Sequence, residues 1–164
     1  MNNENLVDKD LRDYVWNYFQ MHASQRLTTF NFYIVISSVI ATALFATFQQ
    51  GYKFPYFGVF LGFLLSLLSF VFWKLDCRNK FLIKQAEEAL KHFEIQFRLA
   101  SPDDKSEPHV SQIFMREEYS TNIQRKKTYF LWKRHFSYSD CFNLVFVTFG
   151  ASGLLAAIVL VTFR

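Results

Sequence analysis

Cysteine, proline and glycine are scarce: two, three and five residues in 164. Cys77 and Cys141 stand at no zinc-ligand spacing. The few glycines form neither a phosphate-cradling loop nor a nucleophile elbow. His22, His92, His109 and His135 fall in unrelated contexts. A cleavable signal peptide is also missing, because the first 26 residues are polar and carry Glu4, Asp8, Asp10 and Asp13 before any apolar block. Charge is absent from the middle of every apolar block. Arg26, Lys53, Lys74, Asp76, Asp140 and Arg164 sit at block ends, where each is expected to reach water. These absences argue against a metalloenzyme, an intramembrane hydrolase and a proton-coupled transporter. No catalytic, cofactor-binding or metal-binding residue is expected, and the chain reads as a non-enzyme.

What the chain has instead is apolar sequence in blocks. Hydrophobic residues make up 51% of it, with 21 Phe, concentrated in runs long enough to cross a bilayer. The fold expected is an all-α integral membrane protein. A transmembrane hairpin, residues 27–48 and 56–73, is antiparallel because the connection at 49–55 is short and holds Gly51 and Pro55. The second hairpin helix meets no Gly or Pro between Lys74 and Arg98, so it should continue beyond the lipid as one helix from Phe54 to Arg98. Residues 1–26 form an amphipathic N-terminal segment with Asp10 available as a cap. Its helix, Asp10 to His22, can lie on the membrane surface or pack against the long helix. Residues 74–140 form a helical region broken by the Pro-containing loop at 100–111, with a further helix at 112–124. Residues 141–164 form a third membrane helix capped by Ser139 or Asp140.

Polarity within the spans follows two patterns. Gly58, Gly62, Ser66 and Ser69 recur at steps of four, four and three on one face, and Gly150, Gly153 and Ala157 make a second small-residue surface. Both suit close helix packing, within the chain or between copies. Beyond the lipid the first seam is expected to continue through Leu82, Ala86, Ala89, Phe93 and Phe97, flanked by Glu87–Lys91 and Glu94–Arg98 pairs. Asn31, Ser38, Thr42 and Gln49 form a polar stripe on the first span. Packing inside the chain is the first expectation for it, and a pore-lining or oligomer-facing role the second.

Thirteen of the 18 Lys and Arg fall in residues 74–140, against Lys53 alone in the hairpin connection. Positive charge is retained on the cytoplasmic side, which puts the N-terminus and residues 74–140 in the cytoplasm and the C-terminus in the periplasm. Both cysteines then lie near the cytoplasmic boundary, where they read as reduced, structural residues. Arg125, Lys126, Lys127, Trp132, Lys133 and Arg134 interleave basic and aromatic side chains just before the third span. Contact with anionic lipid or a partner is favoured there, and direct nucleic-acid binding is disfavoured.

Arg26, Phe30-Asn31, Phe72-Trp73, Leu75-Asp76, Arg78, Ala86-Glu87, Leu90 and Glu94 give residues 26–98 a resemblance to small bacterial membrane effectors of anti-phage defence. These include transmembrane effectors associated with retrons and effectors of cyclic-nucleotide signalling systems. The third span departs from their plain two-helix pattern. The resemblance implies an inner-membrane, multi-pass, oligomeric protein. Such a protein is held silent until infection and then permeabilises or depolarises the membrane, causing abortive infection. For a retron effector it implies a reverse transcriptase with its RNA-linked DNA as inhibitory partner. The alternative function is a non-toxic scaffolding subunit that tethers a cytoplasmic partner.

Overall fold

The computed structural model describes residues 3–49, 55–96, 112–127 and 137–162, with side chains placed for 8–49, 55–96, 112–120 and 137–162. They form four helices: α1 (Asn3–Gln49), α2 (Pro55–Gln96), α3 (Ile113–Lys127) and α4 (Tyr138–Thr162). Three of these, α1, α2 and α4, are long and apolar enough to cross a membrane. At 47 and 42 residues, α1 and α2 are about 70 and 63 Å long at about 1.5 Å per residue. The hydrocarbon core is about 30 Å thick, so each has far more helix than lipid to hold it.

The starts of α1 and α4 both differ from those the sequence suggests. Helix α1 is unbroken from Asn3, so Asp10 lies inside it and caps nothing. Helix α4 is capped by Ser137. Its hydroxyl lies 3.3 Å from the Asp140 amide, which donates to it, while the Asp140 carboxylate accepts from the Ser137 amide and hydroxyl at 3.2 and 3.1 Å. This reciprocal capping box frees Ser139 for another partner. Pro55 stands first in α2, where its missing amide proton costs nothing. The connection at 50–54 lies outside the described residues.

The chain divides into two units: residues 25–79 with 136–164, and residues 1–24 with 80–135. In the first, the membrane unit, contacts fix the helix directions. Arg26 meets Asp76, Tyr33 meets Ser69 and Thr47 lies beside Gly58, so α1 and α2 are antiparallel. Phe142 stacks on Phe30 while Leu160 reaches Gly58, so α4 runs alongside α1 and against α2. Buried and half-buried positions recur in steps of three and four: 26, 30, 33, 37, 40, 44 and 47 on α1; 61, 65, 69, 72, 76 and 79 on α2; 142, 146, 149, 153, 156 and 160 on α4. That is the 3.5-residue period of helices packed knobs into holes. One core cluster joins Leu44, Leu61, Leu65 and Leu160, and an aromatic one joins Tyr33, Phe142 and Phe146. Phe32, Val39, Phe45, Phe60, Phe63, Leu144, Leu155 and Ile158 point outward, as lipid-facing side chains do.

In the second unit the α2 stripe runs through Ile83, Ala86, Leu90 and Phe93, all buried. It is set one residue off the expected line at Leu82 and Ala89, which are half-buried. Phe97 and Arg98 lie outside the described residues. The expected Glu87–Lys91 pair is replaced, while the Glu94–Arg98 pair lies partly outside the described residues. Glu87 pairs with Lys84 and Lys91 reaches Glu118 of α3 at 2.7 Å. Both Glu94 carboxylate oxygens accept α3 amides, from Phe114 at 3.1 Å and Met115 at 3.2 Å. A carboxylate at a helix N-terminus satisfies donors that have no partner in the helix and opposes its dipole. Phe19 of α1 meets Phe114 edge to face at 5.6 Å. Together these contacts dock α3.

Candidate functional site

The polar groups of the membrane unit fall into three sets, and each has a different neighbour. The first was expected to reach water and does not. Arg26 grips Asp76 with two parallel bonds, Nε to Oδ1 at 2.7 Å and an Nη to Oδ2 at 3.0 Å, and the same Nη donates to Ser139 Oγ at 3.1 Å. Side-chain exposure is 14% for Arg26 and 7% for Asp76, so the pair is shielded from solvent. The guanidinium also stands 5.0 Å from the centre of the Phe142 ring, a cation–π distance. One arginine therefore links α1 to α2 and α4 at the charged end of the spans. Lys74, by contrast, is exposed as expected, with its ammonium 4.8 Å from the centre of the Trp73 ring. The sequence signal for the clasp was present: Arg26 and Asp76 flank the two hairpin spans at matching ends, as an antiparallel pair requires.

The second set is the small-residue seams, which meet each other. A Cβ on Gly62 would lie 2.6 Å from the Gly153 carbonyl oxygen, and one on Gly153 would lie 2.6 Å from the Gly62 carbonyl oxygen. Neither contact can be relieved by turning a side chain, since both partners are backbone. Ala157 borders Gly62, and Gly150 faces Ser69, with its Cβ position 3.3 Å from that of Ser69. Gly58 is closed by Leu160 and Thr47, and Ser66 is half-buried beside Gly153. The two surfaces are used up between α2 and α4 of one chain. Apolar burial drives little helix association in lipid, so such backbone contact and polar bonds must hold the spans together. Tyr33, fully buried, adds one bond: its hydroxyl lies 2.8 Å from Ser69 Oγ. Ser69 donates to the Leu65 carbonyl at 2.8 Å, so Tyr33 is the donor in the pair. Among the described residues, Ser37 Oγ is buried with no hydrogen-bond partner.

The third set is the stripe on α1. Asn31, Ser38, Thr42 and Gln49 are all exposed, on the side of α1 away from α2 and α4. Packing within the chain, the first expectation, does not account for them. Ser38 and Thr42 turn their hydroxyls back to the carbonyls of Ile34 and Ser38, at 2.7 and 2.8 Å. Cys77 and Cys141 are free and exposed, so they are not core residues. Arg125, Lys126 and Lys127 close α3, with side chains outside the described residues, as Trp132, Lys133 and Arg134 are entirely.

Fold and polar groups thus define an all-helical membrane protein whose three long apolar helices are joined by a buried ion pair and a glycine seam. No known family profile matches the chain, and no solved structure does. A curated relative does: CD-NTase-associated protein 19 of Escherichia coli is 37% identical over 146 residues, covering 89% of this chain and 87% of the relative. The chain belongs to the family of CD-NTase-associated protein 19. The match is longer than either unit, so it takes in residues of both. It speaks for the defence setting of the resemblance above and offers nothing for its retron branch.

Proposed function

We propose that the chain is an anti-phage effector of the bacterial inner membrane that permeabilises or depolarises the membrane when released, ending infection abortively. The observation that carries this reading is the relationship to a CD-NTase-associated protein across 89% of the chain. Its trigger would then come from a CD-NTase partner and not from a retron reverse transcriptase. The physical support is that the polarity of the spans lies in helix contacts and on outward faces, which suits action by association. In this reading the chain passes the bilayer three times with its C-terminus periplasmic, and the excess of Lys and Arg in residues 74–140 supports a cytoplasmic location for that region and the N-terminus.

The test is membrane potential and dye entry in bacteria that express the chain with and without its neighbouring genes, before and during phage infection. Depolarisation that requires the chain and follows infection supports the reading. Protection with an unchanged potential would instead favour the scaffold that tethers a cytoplasmic partner.

A further inference from the structure

Among the described residues of the membrane unit, the outward faces of the three spans are unequal. Helix α2 presents Phe57, Phe60, Phe63, Leu67 and Phe70, which suit lipid. Helix α4 presents aliphatic side chains with Thr148 and Ser152, whose hydroxyls bond to carbonyls of their own helix at 2.7 and 2.9 Å. Helix α1 alone exposes carboxamides, Gln25 at its charged end and then Asn31 and Gln49, and no hydrogen bond of the described residues engages the Asn31 or Gln49 side chain. Asn31, Ser38, Thr42 and Gln49 stand at steps of seven, four and seven, a heptad spacing that keeps one line along a supercoiled helix.

Hydrocarbon can neither donate to nor accept from an amide, so Asn31, inside the span, calls for a polar neighbour, and Gln49 continues the same line at the end of the helix. Copies of one chain insert with one orientation, so α1 of one copy meets α1 of the next in parallel and in register. Asn31 then faces Asn31 and Gln49 faces Gln49. A carboxamide carries both donors and an acceptor, so identical residues satisfy each other. We propose that the outward face of α1, marked by Asn31, Ser38, Thr42 and Gln49, is the contact between copies of this chain in the membrane. This rests on the effector reading above and names the surface by which that effector assembles. It also moves the assembly surface away from the glycine seam, which α2 and α4 occupy within one chain.

The experiment uses the full chain in bacterial membranes, with Cys77 and Cys141 replaced by Ser and one cysteine returned, at Ser38→Cys on α1 or Ile158→Cys on the outward face of α4. Cells are oxidised before and during phage infection with the neighbouring genes present, and membrane potential is followed in parallel. Ser38→Cys should yield a disulfide-linked dimer of this chain in at least one of the two states, and Ile158→Cys should not. Adding Asn31→Leu should lower the Ser38→Cys dimer by about threefold or more, the scale of one polar contact between membrane helices, with the chain still in the membrane fraction. Depolarisation without the Ser38→Cys dimer overturns the α1 contact and leaves the effector reading standing. A dimer in membranes that keep their potential throughout infection upholds the contact and overturns the effector reading. Cross-linking of Ser38→Cys to a different protein, or equal dimer from Ile158→Cys, overturns the proposal.

Discussion

Arg26 and Asp76 hold the membrane unit at its charged end by geometry that neither provides alone. Removing one partner leaves the other buried and uncompensated, so Asp76→Ala should cost about 3–5 kcal/mol, while apolar replacement of both, Arg26→Met with Asp76→Leu, should recover most of that loss. Thermal unfolding in detergent checks this: the single variant should melt well below the wild type and the double variant near it. A double variant that melts as low as the single one would show that the charges do more than pair. At Gly62 a larger side chain meets backbone, so Gly62→Leu should separate α2 from α4 and lower the melting temperature in the same assay. The residues of both features were legible in the sequence, but their partners were not. Small residues announce that a backbone can come close, without saying which helix will come. Arg26 and Asp76 looked like snorkelling end charges, because the usual fate of an ion at the end of a span is water.

At the scale of the elements, a 3.5-residue stripe runs along α1, α2 and α4, and on α2 it is interrupted chemically without being interrupted geometrically. Ser69, Asp76 and Asn79 occupy positions of the same buried line as Leu65, Ile83 and Phe93. Because these members are polar, apolar spacing alone points one residue away, to Leu82 and Ala89, which are half-buried. The docking of α3 is not legible in the sequence for a related reason: helical spacing shows which neighbours Glu94 can reach on its own helix and not that its carboxylate serves the start of another. Glu94→Gln should remove a charged cap worth about 1 kcal/mol, so amide hydrogen exchange at 113–118 should quicken by about fivefold, with α1 and α2 unchanged. Equal exchange in wild type and variant would mean that Glu94 does not hold α3. The bond and charge of Lys91 hold the Glu118 carboxyl below the usual glutamate range. A carboxyl whose folded value is lowered adds stability above its unfolded value, near 4.5, and loses it as pH falls through the lowered one. The exchange protection of α3 should therefore fall on acidification below about 4.5 through its link to Glu118, and Glu118→Gln should flatten that part of the pH profile. Since Glu118 is largely exposed, the change is small.

On the scale of the whole molecule, the span count and the hairpin were legible because a bilayer demands long apolar runs and a short connection leaves no choice of direction. The outward placement of the α1 stripe was not, because a helical wheel shows that polar residues share a face without showing what the face meets. Orientation has its own check in the two free, exposed thiols. A membrane-impermeant maleimide should leave Cys77 and Cys141 unlabelled in cells whose outer membrane alone is opened, and label both once the inner membrane is opened. Labelling from the periplasmic side would invert the topology.

The most direct measurement is inner-membrane potential, read by a voltage-sensitive dye through a synchronous phage infection, in cells carrying the chain with its neighbouring genes and in cells lacking the chain alone. The potential should collapse before lysis only where the chain is present, and phage yield should fall with it. Protection with an intact potential, or an infection that runs the same course in both strains, would contradict the effector account.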